Sequence, residues 1–534
     1  MSRQNNQSFF GGTLVLMISG ILVKIIGAFF SIPLANLYGA DGNDIFISAY
    51  YVYTAMYVIS SAGLPVAVSK MVSEARALGR RAEVRRIARV SLCTFVLLGS
   101  VLSLAMILLV DEICLFIGGS CRYAILTVAP TIFFTCIISA VRGYYQGLSN
   151  MVPTAVSQII EAMGKLIFGL GLAWYLMEAG YPLDIVVAGA IGGVTLGTVF
   201  SALFVIAYAL RHREETAPAE GGPCRSGKEL LSSLIRLAIP ITVGASVFSV
   251  SSLIDTFMVK LRLQEGCFLT DAAAGFTYGA YGYAVKLFNL PLSLVTAIGV
   301  SLIPAISGAL ALGSRDRSVQ LTESAFRLTG LLAFPCAVGL AAIPQPILEI
   351  LFVSQPEACA LAAPLLRLLA PAVFLAGMVS VSNPVLQATG RAGLPVIAMG
   401  IGALVKIICN YVLVGLPELG ILGAPIGTSL CYLVILCINL INIRRLNIPF
   451  SLWRAFVRPL ISALVMGAFV LLIYPPLTGF LGSGRLMTLM AVALTIALAA
   501  LMYLLMLIAV RALPKEDVLM LPKGEKIAKI LKIR

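Results

Sequence analysis

The chain reads as an all-α polytopic membrane protein of about fourteen transmembrane helices. Two six-helix lobes, related by a pseudo-two-fold along the membrane normal, precede two extra C-terminal helices. Three observations predict this. First, of 534 residues 60% are hydrophobic and only 12% charged, and the mean hydropathy is +1.00. Soluble domains carry about 25% charged residues, so soluble enzymes, secreted disulfide scaffolds and disordered chains are excluded. Second, apolar runs recur at roughly the 20-residue length that a spanning helix needs. Third, the Lys and Arg residues gather in alternate connectors, as the positive-inside rule requires.

The predicted spans of the first half are 9–36, 44–70, 90–112, 123–146, 153–177 and 184–210. The first is too long for a signal-peptide core and lacks a convincing cleavage site, so it reads as a retained anchor. The second half holds 231–259, 272–308, 324–352, 361–388, 394–416, 419–442, 457–476 and 486–510. The domain reading is an N-lobe over 1–210, a cytoplasmic linker over 211–230 and a C-lobe over 231–442. The last two spans fill 443–510, and a basic cytoplasmic tail follows over 511–534.

The net charge of +14 is mostly topological. With both termini inside, the expected cytoplasmic segments hold 29 of the 38 Lys and Arg residues, Arg142 among them. The expected outer segments hold only Arg122, Lys260, Arg262, Arg367 and Arg485. Nucleic acid is therefore not an expected partner. The tail PKGEKIAKILKIR is partly amphipathic and suits an anionic lipid surface. The basic tail and loops also offer a docking surface for partner proteins.

The two halves share an internal repeat. SEARALG at Ser73–Gly79 matches SGALALG at Ser307–Gly313 at five of seven positions, each leading into a basic stretch. Gln146 and Gln387 each precede a lysine, Lys165 and Lys406, by nineteen residues, with Pro153 and Pro395 between. The same order in both halves implies a parallel repeat, an architecture of alternating-access transporters.

Four lysines remain inside spans: Lys24, Lys165, Lys286 and Lys406. A lysine at the centre of a spanning helix costs roughly 2.5–3.5 kcal/mol on insertion scales, so each needs a hydrated or protein-lined setting. The intramembrane acids are Glu161 and Asp255, with Asp44 at a span start and Glu349 near a span end. Glu161 and Lys165 stand four apart on one helical face, the spacing of a structural ion pair. The net interior is cationic, which points to an anionic partner. Asp255, Glu161 and Asp44 are either ion-coupling groups or structural partners.

Other chemistry is sparse. The lone His212 cannot build a metal cluster or a catalytic triad, no C-x-x-C spacing occurs among eleven cysteines, and no P-loop is present. No cofactor, metal or catalytic residue is expected. Cys114 and Cys121 are spaced to approach each other outside, but spacing alone does not make a bridge.

The runs KIIGAFFSIPLANLYGADGNDIF (Lys24–Phe46), SSAGLPVAVSKMVSEARALG (Ser60–Gly79) and YGYAVKLFNLPLSLVTAIGVSLIPAIS (Tyr281–Ser307) carry a resemblance. They resemble the polysaccharide transporter branch of the multidrug/oligosaccharidyl-lipid/polysaccharide exporter superfamily, of stage V sporulation protein B type and related to the lipid II flippases. The resemblance covers essentially the whole chain. It implies a bacterial cytoplasmic-membrane flippase, not an enzyme, with a polyprenyl-pyrophosphate-linked glycan as partner. It further implies that Lys24 and Lys286 line the central cavity, that Asp44 marks the outer start of the second helix, and that the lipid tail follows spans 13 and 14. A second basic residue of the family's first helix falls here on Phe30. The alternatives are a drug/cation antiporter of the same superfamily and a non-transport scaffold for envelope assembly.

Overall fold

Helices are the only regular elements among the described residues, as a chain that must satisfy its own backbone hydrogen bonds in lipid requires. The computed structural model describes residues 2–117, 121–212, 225–311, 313–391, 393–446, 456–482, 484–510 and 512. The predicted basic tail beyond 512, Arg454 and most of the predicted linker (213–224) lie outside them.

The first half contains α1 (Ser2–Ser61), α2 (Gly63–Ala77), α3 (Arg81–Leu108), α4 (Val110–Ile117), α5 (Arg122–Gly147), α6 (Val152–Glu178) and α7 (Leu183–Arg211). Next come α8 (Gly227–Glu265), α9 (Asp271–Ala311), α10 (Arg315–Ala342), α11 (Pro344–Leu351), α12 (Pro356–Ala388) and α13 (Gly393–Val414). A single 3₁₀ turn (Gly420–Leu422) leads into α14 (Gly423–Arg445), followed by α15 (Arg458–Leu481) and α16 (Arg485–Ala509). All fourteen predicted segments fall on these helices, some interrupted by a one- or two-residue break. Among the described residues, eleven helical stretches are long and apolar enough to cross a membrane.

α1 is a hairpin rather than one rod. Gly39 sits at φ 70°, ψ −165°, a conformation that costs glycine little and other residues much. Phe30 and Phe46 have ring centroids 6.1 Å apart, whereas sixteen residues of straight helix would separate them by about 24 Å. The chain therefore turns back at Gly39 with no loop between its two arms.

The structure divides into two compact units, Met1–Leu261 with Leu269–Gly279, and Arg262–Phe268 with Ala280–Arg534. Most of α8 thus belongs to the first unit. Leu230, Leu234 and Ala238, one face of its early turns, pack with Leu64, Met71, Ile87 and Phe95 of α2 and α3. A reciprocal capping box starts α8. The Ser226 backbone N–H donates to Glu229 Oε2 (2.9 Å), and the Glu229 N–H donates to Ser226 Oγ (3.2 Å). One residue earlier, Arg225 Nε bonds Glu83 Oε1 at 2.5 Å, and Glu83, fully buried, also accepts from Arg80 at 3.5 Å.

The repeat seen in the sequence has a local structural counterpart. Gly79 and Gly313 both take positive φ, 70° and 68°. Around them the backbone bonds agree one for one: Gly79 N–H to Arg76 O and Arg80 N–H to Ala75 O, against Gly313 N–H to Leu310 O and Ser314 N–H to Ala309 O. The second pair behaves the same way, with Ser149 (φ 63°) following Gln146 and Gly390 (φ 81°) following Gln387. Both stretches are helix C-caps of the left-handed type.

No atom lies within 4 Å of a Cβ added at Gly79 or Gly313, so alanine there meets backbone strain alone. Gly79→Ala and Gly313→Ala are each expected to cost about 1 kcal/mol. Matched losses in the thermal unfolding of the purified protein check this, and a neutral or stabilising effect at either position would contradict it.

Candidate functional site

The second arm of α1 carries an aromatic ladder produced by its own spacing. Phe46, Tyr50, Tyr53 and Tyr57 follow one another with centroids 5.5–5.6 Å apart, because residues three or four apart share a helix face. Lys165 of α6 places its Nζ over the Phe30 ring at 4.6 Å and the Tyr50 ring at 4.7 Å. The two rings belong to opposite arms of the hairpin, so Lys165 bridges the fold at Gly39. Aromatic faces attract an ammonium by about 0.5–2 kcal/mol and leave its charge intact. Phe30, where the resembled pattern has a second basic residue, is 1% exposed and receives a cation from another helix instead.

This geometry corrects the expected Glu161–Lys165 ion pair. Glu161 Oε2 lies 3.3 Å from Arg142 NH2, while Arg142 Nε donates to Ser157 Oγ at 2.8 Å. Ser201 stands 3.5 Å from the same guanidinium, tying α5, α6 and α7 together. Arg142, assigned from the sequence to a cytoplasmic segment, is 8% exposed inside α5. A guanidinium presents five donors in a planar fork and can serve two hydroxyls and a carboxylate together, which a lysine cannot do in that geometry. Spacing on one helix identified the right acid but the wrong base.

A second cluster joins the hairpin turn to α8 and α9. Asp44 Oδ1 is 2.5 Å from Lys260 Nζ, and Lys260 also donates to Ser48 Oγ at 2.9 Å. Asp44 is 6% and Lys260 4% exposed, so this is a buried pair. Beside it, Asn43 Nδ2 donates to Gly279 O at 2.6 Å, and Thr256 shares a hydrogen bond with the Tyr278 hydroxyl at 2.9 Å. A Cβ on Gly279 would lie 2.0 Å from Ala40 O, so only glycine permits this approach of α9 to the turn. Lys260 was expected in an outer connector because the predicted span ends at residue 259, but α8 continues to Glu265. Lys260 is the buried partner of Asp44 that sequence reasoning missed; its signal was a helix-compatible run extending beyond the apolar window.

The other expected residues occupy separate places. Lys24 is exposed on the first arm of α1, and Asp255 is 6% exposed on α8. Lys286 of α9 points at the stacked pair Tyr283–Phe352, 5.6 Å and 6.0 Å from the centroids, with the two rings 4.3 Å apart. Lys406 is half-buried on α13. At the repeat offset that relates Lys165 to Lys406, Arg142 corresponds to Asn383. Here Asn439 Nδ2, from α14, donates to Asn383 Oδ1 (2.7 Å) and to Ser382 Oγ (2.9 Å), so uncharged amides stand where the first half has the Arg142 ion pair. Among the described residues no group of three or more His, Cys, Asp or Glu could hold a metal ion.

Residues 9–309 match the polysaccharide biosynthesis protein family, and 240–412 also match the MatE family. The chain belongs to the polysaccharide biosynthesis protein family. Among relatives from Bacillus subtilis (strain 168), it is 26% identical to the uncharacterized membrane protein YabM, over 98% of this chain and 96% of that one. It is 27% identical to the lipid II flippase MurJ, over 81% and 82% of the two chains, and 26% identical to stage V sporulation protein B, over 79% and 80%. The fold matches that of a solved lipid II flippase MurJ in an inward closed conformation. The TM-score is 0.68 at 15% identity, covering 93% of this chain and 97% of that one. The protein is thus a multi-pass membrane protein with a fold of the same superfamily as the resemblance implied.

Removing one partner of a buried ion pair strands the other, at a cost of about 3–5 kcal/mol, whereas an apolar replacement of both is often close to neutral. Asp44→Leu alone is therefore expected to destabilise the purified protein severely. The double variant Asp44→Leu with Lys260→Met should recover most of the loss in a thermal melt. A single variant that melts like wild type would remove the pair from the account.

Proposed function

We propose that the protein is an alternating-access flippase that moves a polyprenyl-pyrophosphate-linked saccharide, lipid II-like or another cell-wall or spore-cortex precursor, across the bacterial cytoplasmic membrane. Membership of the polysaccharide biosynthesis family supports the substrate class, and the similarity to a lipid II flippase over most of both chains supports the activity. One observation from the structure carries the electrostatic side of the reading: Glu161 is directed to Arg142 and Asp44 to Lys260, while Lys165 and Lys286 rest on aromatic faces. Glu161 and Asp44 are thus met by Arg142 and Lys260, bases outside the set of four lysines on which the cationic reading of the interior rests. A pyrophosphate is the complementary charge.

In this mechanism Lys24 and Lys286 hold the pyrophosphate as compact point charges, and Lys165 and Lys406, equivalent in the repeat, contribute to the same field. The saccharide travels in water, and the polyprenyl chain stays in lipid along α15 and α16. With both termini in the cytoplasm, the inside-negative potential favours outward movement of an anionic head group by about 2.3 kcal/mol per charge per 100 mV. Asp255 is the acid we assign to ion coupling. Beyond the described residues, the basic tail rests on anionic lipid and is open to envelope-synthesis proteins. The protein performs transport rather than catalysis.

The MatE match over 240–412 favours a second reading, a drug or cation antiporter. That activity calls for an acidic cavity, and the lysines argue against it.

The double variant Lys24→Ala with Lys286→Ala, reconstituted into vesicles, is expected to lose translocation of lipid II by at least tenfold while keeping the wild-type melting temperature. A fully active double variant would defeat the assignment. Drug resistance conferred on a sensitive host, unaffected by the two substitutions, would favour the antiporter.

A further inference from the structure

Between α3 and α5 the chain forms a short corner held from several directions. Arg122 Nε bonds Asp111 Oδ1 at 2.8 Å, joining the start of α5 to the start of α4. Phe116 stacks on Phe257 of α8 with centroids 4.3 Å apart and planes 13° apart. Ile117 is 1% exposed. Inside this clasp the Sγ atoms of Cys114 and Cys121 lie 3.4 Å apart, both as free thiols. Cys121 is 1% exposed at the start of α5, and Cys114 is half-buried on α4.

We propose that Cys114 and Cys121 form a redox-sensitive pair that closes into an intramolecular disulfide. A disulfide bond is about 2.05 Å long, so the sulfurs have little more than an ångström to travel. Both cysteines sit in a connector that the charge map places outside the cytoplasm, where disulfides persist. The oxidant is a low-molecular-weight disulfide, RSSR. The Cys114 thiolate, the accessible one of the two, attacks one sulfur of RSSR. This breaks the S–S bond, forms a mixed disulfide on Cys114 and releases RS⁻, which takes up the proton that Cys114 lost. The Cys121 thiolate then attacks Cys114 Sγ, forms the internal bond and displaces the second RS⁻, which takes up the Cys121 proton. The balance is two protein thiols and one RSSR giving one protein disulfide and two RSH.

The surroundings set the rate. Burial raises both thiols above their ordinary value, and for Cys121 the nearby Lys260 charge opposes this only partly. The reactive thiolate is therefore scarce at neutral pH, and closure accelerates about tenfold per pH unit below the thiol pKa. The same burial protects the bond once made, because a reductant must enter through Cys114. Closed, the bond fastens α4 to the residue that caps the start of α5. The Phe116–Phe257 stack then makes the ends of α4, α5 and α8 one body.

The test uses the full-length protein in detergent, treated with oxidised glutathione at pH 7 and pH 8. After denaturation, free thiols are counted with a maleimide and linkages located by tandem mass spectrometry. The expected result is loss of the Cys114 and Cys121 thiols together, with two hydrogens fewer on the linked peptides and about tenfold faster reaction at pH 8. In Cys114→Ser, Cys121 should remain maleimide-reactive under the same treatment. Retention of both thiols in the wild type, or a glutathione adduct that persists on Cys114, overturns the proposal. Thiol loss at Cys121 in the Cys114→Ser variant overturns it as well.

Discussion

A charge carried into an apolar membrane interior must find a counter-charge, a hydrogen-bond network or an aromatic face, since no water is at hand to solvate it. Much of the polar architecture follows from that requirement. Asp44 and Lys260, 216 residues apart, meet beside the Gly39 turn. Arg142 brings α5, α6 and α7 onto one guanidinium, and Lys165 pins two arms of a hairpin through their rings. Each contact neutralises or shelters a charge and fixes the relative position of two or three helices within its unit.

The helical content, the placement of the apolar segments on helices and the matched caps were readable from residues alone, because each is a local or periodic property. Even the helix ends were encoded: SEARALG and SGALALG finish with the glycine that both caps need, and both caps form identical bonds. The choice of partners was not readable. Sequence spacing offers Lys165 to Glu161 because they are one turn apart, yet Arg142 arrives from another helix with a better geometry for two serines and a carboxylate. Lys260 looked like a connector residue because hydropathy ends a span where polarity begins, whereas a helix ends where its hydrogen bonding ends. Tertiary pairing outranks local spacing whenever a distant residue satisfies more donors.

The halves share their cap geometry at two places and differ in their chemistry. Where one has Arg142 with Glu161, the other has Asn383 with Asn439. Arg142 and Asn383 stand at corresponding positions, but their partners come from non-corresponding helices, Glu161 from α6 and Asn439 from α14. Two neutral amides need no counter-ion and respond to neither pH nor membrane potential, so polar adhesion persists in that half without adding to its electrostatic field. The lysines on the repeat-related helices α6 and α13 are then set against different backgrounds. This is one route by which a duplicated scaffold acquires a polarity along its working cycle.

The clamp on Glu83 has a consequence for how the polypeptide can be made. Arg225 is fastened to Glu83, Ser226 and Glu229 cap the helix that follows, and Leu230 and Leu234 are already seated on α2 and α3. The path of the chain is thus restored on the near side of the connector by non-covalent contacts that do not depend on residues 213–224. Synthesis from the N-terminus presents α2 and α3 first, so the opening turns of α8 emerge to a seat already made, and the rest of that helix takes its register from there.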